Sequence, residues 1–503
     1  MEVKNNRFAS ERLTEIMLFL ILVVCFAYTF PRWADPNQNS RLDMVFAVVE
    51  EGSFRIDNYV ANTVDYAKVG DHYYSDKAPG TAFIGIPVYA GLRIFLDLPV
   101  IDPLMDRLSN NSAFQSTLNT EGTGILEQKV RFAIAQIVIT FVVAVIPTAF
   151  LGVLLFRISR KLGAVQWVAL AVVLIYALLT PAFAYAGALY GHQLSAFLLF
   201  LVFYVLFDNE QFPGWKLFLL GLALGFAVVT EYPVALIVVT LYIYAFYKLY
   251  RNGNWLKVGW LTLGGGLVAA GWMAYNTYIF GGPLTLGYSY SELWVDEHNT
   301  GFMSLTMPYW AASWGITFSG FRGLFYISPV LLLVLPGFVL WWRKAVHRVA
   351  FVVVLLVSLE MFLFNASSIM WWGGFSIGPR YLLPMLPFFT LPVAFTLQAW
   401  ADKLWLRIGG AVLALWSLVV TWGLTLAGQA FPSDAIQNPF TEYALVHWGA
   451  GNIARNLGTI LGFSGASSLV PLGLVLVTLV GIWIGLARKQ TGIKISQQVE
   501  EPS

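Results

Sequence analysis

Gly80-Thr-Ala-Phe-Ile-Gly-Ile-Pro-Val-Tyr-Ala-Gly-Leu-Arg-Ile-Phe-Leu96 is mostly apolar, yet it carries Pro87 and Arg93 in its interior. A transmembrane helix needs roughly 20 predominantly apolar residues, and this stretch falls short. Whether it crosses a bilayer sets the sidedness of everything after it. Around it lie longer apolar stretches near 13–31, 130–156, 164–184, 189–207, 215–230, 232–249, 256–279, 324–342, 349–366, 381–399, 408–428 and 468–487. The composition agrees with a chain living in lipid. Of 503 residues, 58% are hydrophobic and 16% aromatic, while only 12% are charged. Soluble domains carry about 25% charged residues, so a soluble enzyme is excluded. The net charge of +2 excludes a polybasic nucleic-acid binder. Cys25 is the only cysteine, which excludes an internal disulfide or a thiolate metal cluster. The fold class is an all-α polytopic membrane protein, with about 12 transmembrane helices.

Charge decides how 80–96 is placed. If it does not cross, the cytoplasmic side holds Lys4, Arg7, Arg12, Arg157, Arg160, Lys161, Lys216, Lys248, Arg251, Lys257, Arg343, Lys344, Arg348, Lys403, Arg407, Arg488, Lys489 and Lys494, which is 18 of the 30 cations. If it crosses, every later loop flips and the majority moves outside. The positive-inside bias favours the first arrangement. The segment then reads as a helix in the outer interface with Pro79 near its first turn. The first span follows Lys4, Arg7 and Arg12 without a small-x-small cleavage site, so it reads as a retained anchor. In this arrangement 33–128 forms a long outer first loop carrying juxtamembrane helices. Segments 281–322, 366–380 and 429–467 face outward too. The chain divides into a module over 1–280, a second transmembrane region over 281–487 and a cytoplasmic tail over 488–503.

The outer first loop is rich in acid, and most of its carboxylates need only solvent. Two parts of it are more specific. Asn39-Ser-Arg-Leu-Asp-Met-Val-Phe-Ala-Val-Val-Glu-Glu-Gly52 predicts a short amphipathic helix: Leu42, Val45, Phe46 and Val49 recur at helical spacing, and Gly52 stops it. Asp43 lies off that stripe. It serves either as the acid of a Ser40-x-x-Asp43 capping box or as a catalytic base. The second part is His72-Tyr-Tyr-Ser-Asp-Lys-Ala-Pro-Gly80, which places Lys77 at a helix entrance where free N–H groups can seat a phosphate.

These segments, in their order, resemble the GT-C glycosyltransferases, integral membrane enzymes using polyprenyl-phosphate-linked sugars. The protein O-mannosyltransferases and lipid A aminoarabinose transferases are of this kind. The family pattern has an early acid in the first outer loop, matched here by Asp43 or Asp35. It has a K-P-P-like turn, matched by Tyr74-Ser-Asp-Lys-Ala-Pro79, and a T-K-x-P-like break, matched by Thr230-Glu-Tyr-Pro233. Arg380-Tyr-Leu-Leu-Pro384 resembles an R-Y-L-L-P opening a late span. The resemblance covers roughly 1–280 and the 380s. This chain also departs from the pattern. The family acid should fall near Gln38, Glu231 replaces the lysine of the break, and Tyr190-Gly-His192-Gln stands where relatives often place an acid.

The resemblance implies an enzyme that moves a hexose or pentose from a polyprenyl-phosphate donor to a glycan, lipid or protein acceptor at the outer face of the plasma or inner membrane, with inversion. Asp43, or else Asp35, would be its catalytic base. Asp57, Asp76, Lys77, Arg41, His192, Glu231, Arg322, Arg380 and Tyr381 would bind substrate. A sugar phosphate already has a stable leaving group. One carboxylate to accept a proton and cations to hold the departing phosphate are therefore enough. Lys77, Arg322 and Arg380 are the cations expected on the outer side. Arg322 is also explained by contact with lipid headgroups, and His192 by a backbone hydrogen bond. Trp310, Trp314, Trp371 and Trp372 fit an interfacial belt, the last two also a sugar platform. Glu360 lies within a span and needs a partner or a proton. Asp296-Glu297-His298 is too close-set for one metal site, so no metal or cofactor is expected. The competing readings are a transporter or lipid flippase and a non-catalytic assembly protein on the same fold.

Overall fold

The structure is a computed structural model describing residues 2–32, 35–110, 128–293, 297, 300–301 and 304–499. Glu121, Glu127, Asp296 and His298 lie outside the described residues. The protein is all-α and polytopic, as its composition requires. Helix α1 is Glu2–Ala27, α2 is Pro36–Glu51 and α3 is Gly80–Leu96. The spanning helix Lys129–Lys161 is α4, Gln166–Leu178 is α5, Gly191–Asp208 is α6, Gly214–Thr230 is α7, Ala235–Arg251 is α8 and Val258–Phe280 is α9. Farther on come α10 (Arg348–Ser367), α11 (Leu404–Leu426) and α12 (Val470–Val499).

Among the described residues, six helices are singly long and apolar enough to cross a membrane, or seven counting a pair bent by 42°. The other expected spans are shorter, interrupted or diluted, and proline explains three of the interruptions. Stretch 164–184 stops at Leu178, ahead of Pro181. Stretch 324–342 divides at Pro329 into Leu324–Ile327, the turn Pro329–Leu333 and Val334–Lys344. Stretch 381–399 bends between Leu386–Thr390 and Val393–Trp400, at Pro392. Proline removes an N–H donor and clashes with the preceding turn, so a run can stay apolar while its helix breaks.

Helix α2 bears out its apolar stripe. Leu42, Val45 and Phe46 are buried and Val49 is partly buried. Phe46 stacks on Tyr89 of α3 at 4.2 Å and meets Phe132 of α4 at 4.8 Å. Gly52, at φ 65°, ends the helix as expected. The start differs: Asp35 is the N-cap and Pro36 opens the helix. Proline is well placed there, since its missing N–H would have no helical partner. A second difference is a β-hairpin between α2 and α3. Tyr66–Val69 (β1) pairs antiparallel with His72–Ser75 (β2) across Gly70, at φ 61°.

The bundle has two polar ends. At one, Arg157 pairs with Glu15, Arg160 with Glu11, Lys161 with Asp208 and Lys248 with Glu210. At the other end, the loops after α1, α3's first turn, the α5–α6 connection and the α7–α8 break meet.

Candidate active site

The meeting of those loops builds a polar cluster beneath α2. Residues four apart on a helix share a face, so Asn37 and Arg41 point together, and Arg41 donates to both the carbonyl and the side chain of Asn37. An Arg41 nitrogen lies 3.7 Å from Glu231 Oε1. Glu231 stands in extended backbone between α7 and α8, where Pro233 interrupts what would be one helix. His192, in the first turn of α6, places Nδ1 3.3 Å from the same oxygen. Two departures from the resemblance are thus partners in space. The approach is close enough to require Gly191: a Cβ there would lie 2.4 Å from the Thr230 carbonyl and 2.6 Å from Glu231 Oε1. Burial raises the Glu231 pKa above the usual carboxylate range, against the pull of Arg41, Arg380 and Lys77.

Arg380 enters from the C-terminal part of the chain. Its guanidinium lies 5.6 Å from the Tyr190 ring and 5.4 Å from the Tyr381 ring. It is half-buried and, among the described residues, pairs with no carboxylate. Gly373, at φ 72°, keeps space beside it, since a Cβ would come within 3.0 Å of Nε. Tyr190 stacks on His192 at 5.6 Å, and Tyr185 and Tyr381 close the ring edge-on.

Asp35 touches this cluster but is fully committed. Its Oδ1 accepts from the Asn37 and Gln38 amides at 3.0 and 3.3 Å. Its Oδ2 accepts from Gln38 Nε2 at 3.0 Å and from the Tyr190 hydroxyl at 2.8 Å. Burial raises its pKa, while those donors and Arg380 oppose the rise. Gln38, where the family acid was expected, also accepts from the Leu189 amide at 2.7 Å.

The structure does not bring Asp43 to the cluster. It lies two residues beyond Arg41, about 200° around a helix of 3.6 residues per turn. On that side Asn62 donates to Oδ1 at 3.1 Å, and Oδ2 has no hydrogen-bond partner. The capping-box reading is corrected as well, because the helix starts ahead of Ser40. Ser40 bonds Ser75 of β2 instead, at 2.9 Å.

Lys77 is not an exposed cation at a helix entrance. Its side chain is only 9% exposed, and its Nζ lies 3.0 Å from Asp65, 3.2 Å from Asp76 and 5.7 Å from the Tyr288 ring centre. Burial works against its charge, but the two acids outweigh burial and hold its pKa above the ordinary lysine value. Asp76 also accepts from Ser291 at 3.2 Å. Arg322 is fully buried and holds a loop: Nε donates to the Trp372 carbonyl and a terminal nitrogen to the Gly374 carbonyl, at 3.2 and 2.9 Å. Burial pushes its pKa down to about 10. Asp57 takes the His72 ring at 2.8 Å and the Tyr73 amide at 2.7 Å, closing the hairpin at the surface. Trp371 packs on Gly315 and Phe321 rather than facing open space, whereas Trp310 and Trp314 are exposed.

Sequence reasoning gave no role to Tyr185, Tyr190, Asp65 or Arg32. Arg32 donates to the carbonyls of Thr425, Ala427 and Ala430, tying the end of α1 to that of α11. Among the described residues no group of three metal-ligating side chains converges. An apolar groove of about 590 Å³, lined by Trp422, Phe440, Leu445 and Trp448 among others, lies apart from the polar cluster.

No family model matches the chain, and no curated protein matches it. Among solved structures, it is similar to ArnT from Cupriavidus metallidurans bound to undecaprenyl phosphate. The identity is 15% and the TM-score 0.46, over 95% of this chain and 76% of that one. The apo state of the same protein gives 14% and 0.43, over 98% and 77%.

Proposed function

We propose that the chain is a membrane glycosyltransferase, moving a sugar from a polyprenyl-phosphate donor to an acceptor on the outer face of the membrane, with inversion. One observation carries this reading: Arg380 forms no ion pair among the described residues and lies over Tyr190, which stacks on His192, and that histidine meets a buried carboxylate, Glu231, at 3.3 Å. Inverting transfer from a sugar phosphate needs those two groups. A carboxylate accepts the acceptor's hydroxyl proton as its oxygen attacks the anomeric carbon. The bond from that carbon to the phosphate oxygen breaks, and its electron pair leaves on the phosphate. A guanidinium matches that dianion with paired donors. Charge stabilisation is strongest where water is excluded, and the surrounding tyrosines and His192 exclude it.

Of the cations considered, Arg380 is best suited to the phosphate. Lys77 already faces two acids, and Arg322 spends its donors on carbonyls. The apolar helices beneath the cluster suit a prenyl tail lying in lipid. A transporter would instead place charge along its spans. Here Glu360, bonded to Thr240, lies inside a span, whereas the clustered ionisable groups among the described residues sit at the ends.

The test is turnover by the purified protein in nanodiscs. Polyprenyl-phosphate hexoses and pentoses would be supplied with membrane lipid extract as acceptor, and free polyprenyl phosphate followed by mass spectrometry. Acceptor-dependent release is expected. Lipid or ion movement in proteoliposomes, with no release from any donor, would replace this reading with the transport one.

A further inference from the structure

We infer that Glu231, rather than an acid of the first outer loop, accepts the proton from the acceptor hydroxyl. The inference rests on the transferase reading and names its base. The other carboxylates around the cluster are committed or turned away. Asp35 has both oxygens filled by four donors. Asp65 and Asp76 hold Lys77 between them. Asp43 faces Asn62 on the far side of α2. Glu231 differs in place: its Oε1 is buried without a hydrogen-bond donor in bonding geometry, as Asp43 Oδ2 is, but it lies inside the cluster, 3.3 Å from His192 and 3.7 Å from Arg41. It is held from three sides, by Arg41, by His192 and by the Gly191 backbone, and its side chain as a whole keeps 11% exposure.

That arrangement suits a base. Arg41 at 3.7 Å and His192 at 3.3 Å fix the carboxylate without sealing it in a bidentate pair. Burial makes the carboxylate a stronger proton acceptor than one in water. In the step, the acceptor oxygen bonds to the anomeric carbon and its proton passes to Glu231. The bond from that carbon to the phosphate oxygen breaks, and the new charge settles against Arg380. Glu231 then returns its proton to water, so polyprenyl phosphate and the glycosylated acceptor are the products.

Glu231→Gln, Glu231→Asp, Asp35→Asn and Asp43→Asn, each in nanodiscs, test this. Undecaprenyl phosphate is the binding probe, and donor turnover is read as kcat against pH. Glu231→Gln should bind the probe as the wild type does, yet lose about 10²–10⁴-fold in kcat. The wild type should lose kcat at acid pH, and that fall should vanish from the residual activity of Glu231→Gln. If Glu231→Gln does not fold, Glu231→Asp is read instead. It keeps the charge but withdraws the carboxylate by one methylene, so a loss of about 10²-fold is expected. Asp43→Asn should keep its turnover per folded molecule. Near-normal kcat in Glu231→Gln with the acid limb intact, or a collapse of kcat confined to Asp43→Asn or Asp35→Asn, overturns the inference and leaves the transferase reading standing. No turnover by the wild type with any donor overturns both.

Discussion

At Lys77 a single ammonium balances two carboxylates, and all three side chains are at most 13% exposed. Removing one partner of a buried ion pair costs about 3–5 kcal/mol, because the charge left behind has no compensation. Lys77→Met should therefore lower the melting temperature sharply, and adding Asp76→Asn should recover part of the loss. A variant with normal melting and weakened donor binding would instead make Lys77 a phosphate contact. Arg380→Ala should behave in the opposite way. It removes a half-buried cation with no acidic partner among the described residues, so folding should hold while affinity for undecaprenyl phosphate falls about ten- to a hundredfold, the worth of a charged hydrogen bond of about 1.5–3 kcal/mol. Asp43 makes a third case. Burial raises its pKa well above 3.8, and only Asn62 opposes the rise. The folded carboxyl keeps a proton that the unfolded chain releases. Its contribution is thus fully present below 3.8 and is lost as pH climbs toward the folded value. In Asp43→Asn, melting temperature should decline less steeply than in the wild type as pH rises above 3.8.

At the scale of elements, the cluster depends on two approaches of backbone to side chain. One is α6 against the α7–α8 break, where Gly191 leaves no room for a methyl group. Gly191→Ala should force the two apart, at about 1–3 kcal/mol of stability. It should also lower turnover by shifting Glu231 and His192 relative to Arg380. Unfolding curves measured beside turnover separate these effects. The other is the start of α2, fixed by Asp35 and Pro36. Legibility was uneven here. The apolar stripe and Gly52 are periodic and could be read directly. The cap could not, because Ser40 and Asp43 also fit a capping-box pattern and only the packed chain shows that the helix begins earlier.

For the whole molecule, the segregation of charge is the governing feature. The basic loops containing Arg157, Arg160, Lys161 and Lys248 find their acids at one end, and the candidate site gathers at the other. Asp71, at the exposed turn of the hairpin, and Asn252, exposed after α8, lie on opposite sides in the positive-inside arrangement. Asp71→Cys should react with an impermeant maleimide on intact cells, and Asn252→Cys only after permeabilisation. Cys25 is 2% exposed and adds little background. Labelling of opposite sense would place the cluster on the inner side and withdraw the outer-face acceptor.

The class of protein, the apolar runs, the stripe of α2 and the polar segments from which a site could be made are all legible along the chain. These depend on composition and on spacing along the chain, which are one-dimensional properties. Which charges remain available emerges only once the chain is packed. Lys77, Arg322 and Arg380 are equivalent as letters. Neighbours distant in sequence set their roles: Asp65 neutralises the first, the carbonyls of Trp372 and Gly374 occupy the second, and the third faces aromatic rings and forms no direct ion pair among the described residues. The same holds for the acids. Asp43 and Glu231 are both buried, but a helical rotation turns one away and a proline-broken connection delivers the other to Arg41 and His192. Electrostatic pairing acts across a few ångströms of space, and the order of residues does not record that distance.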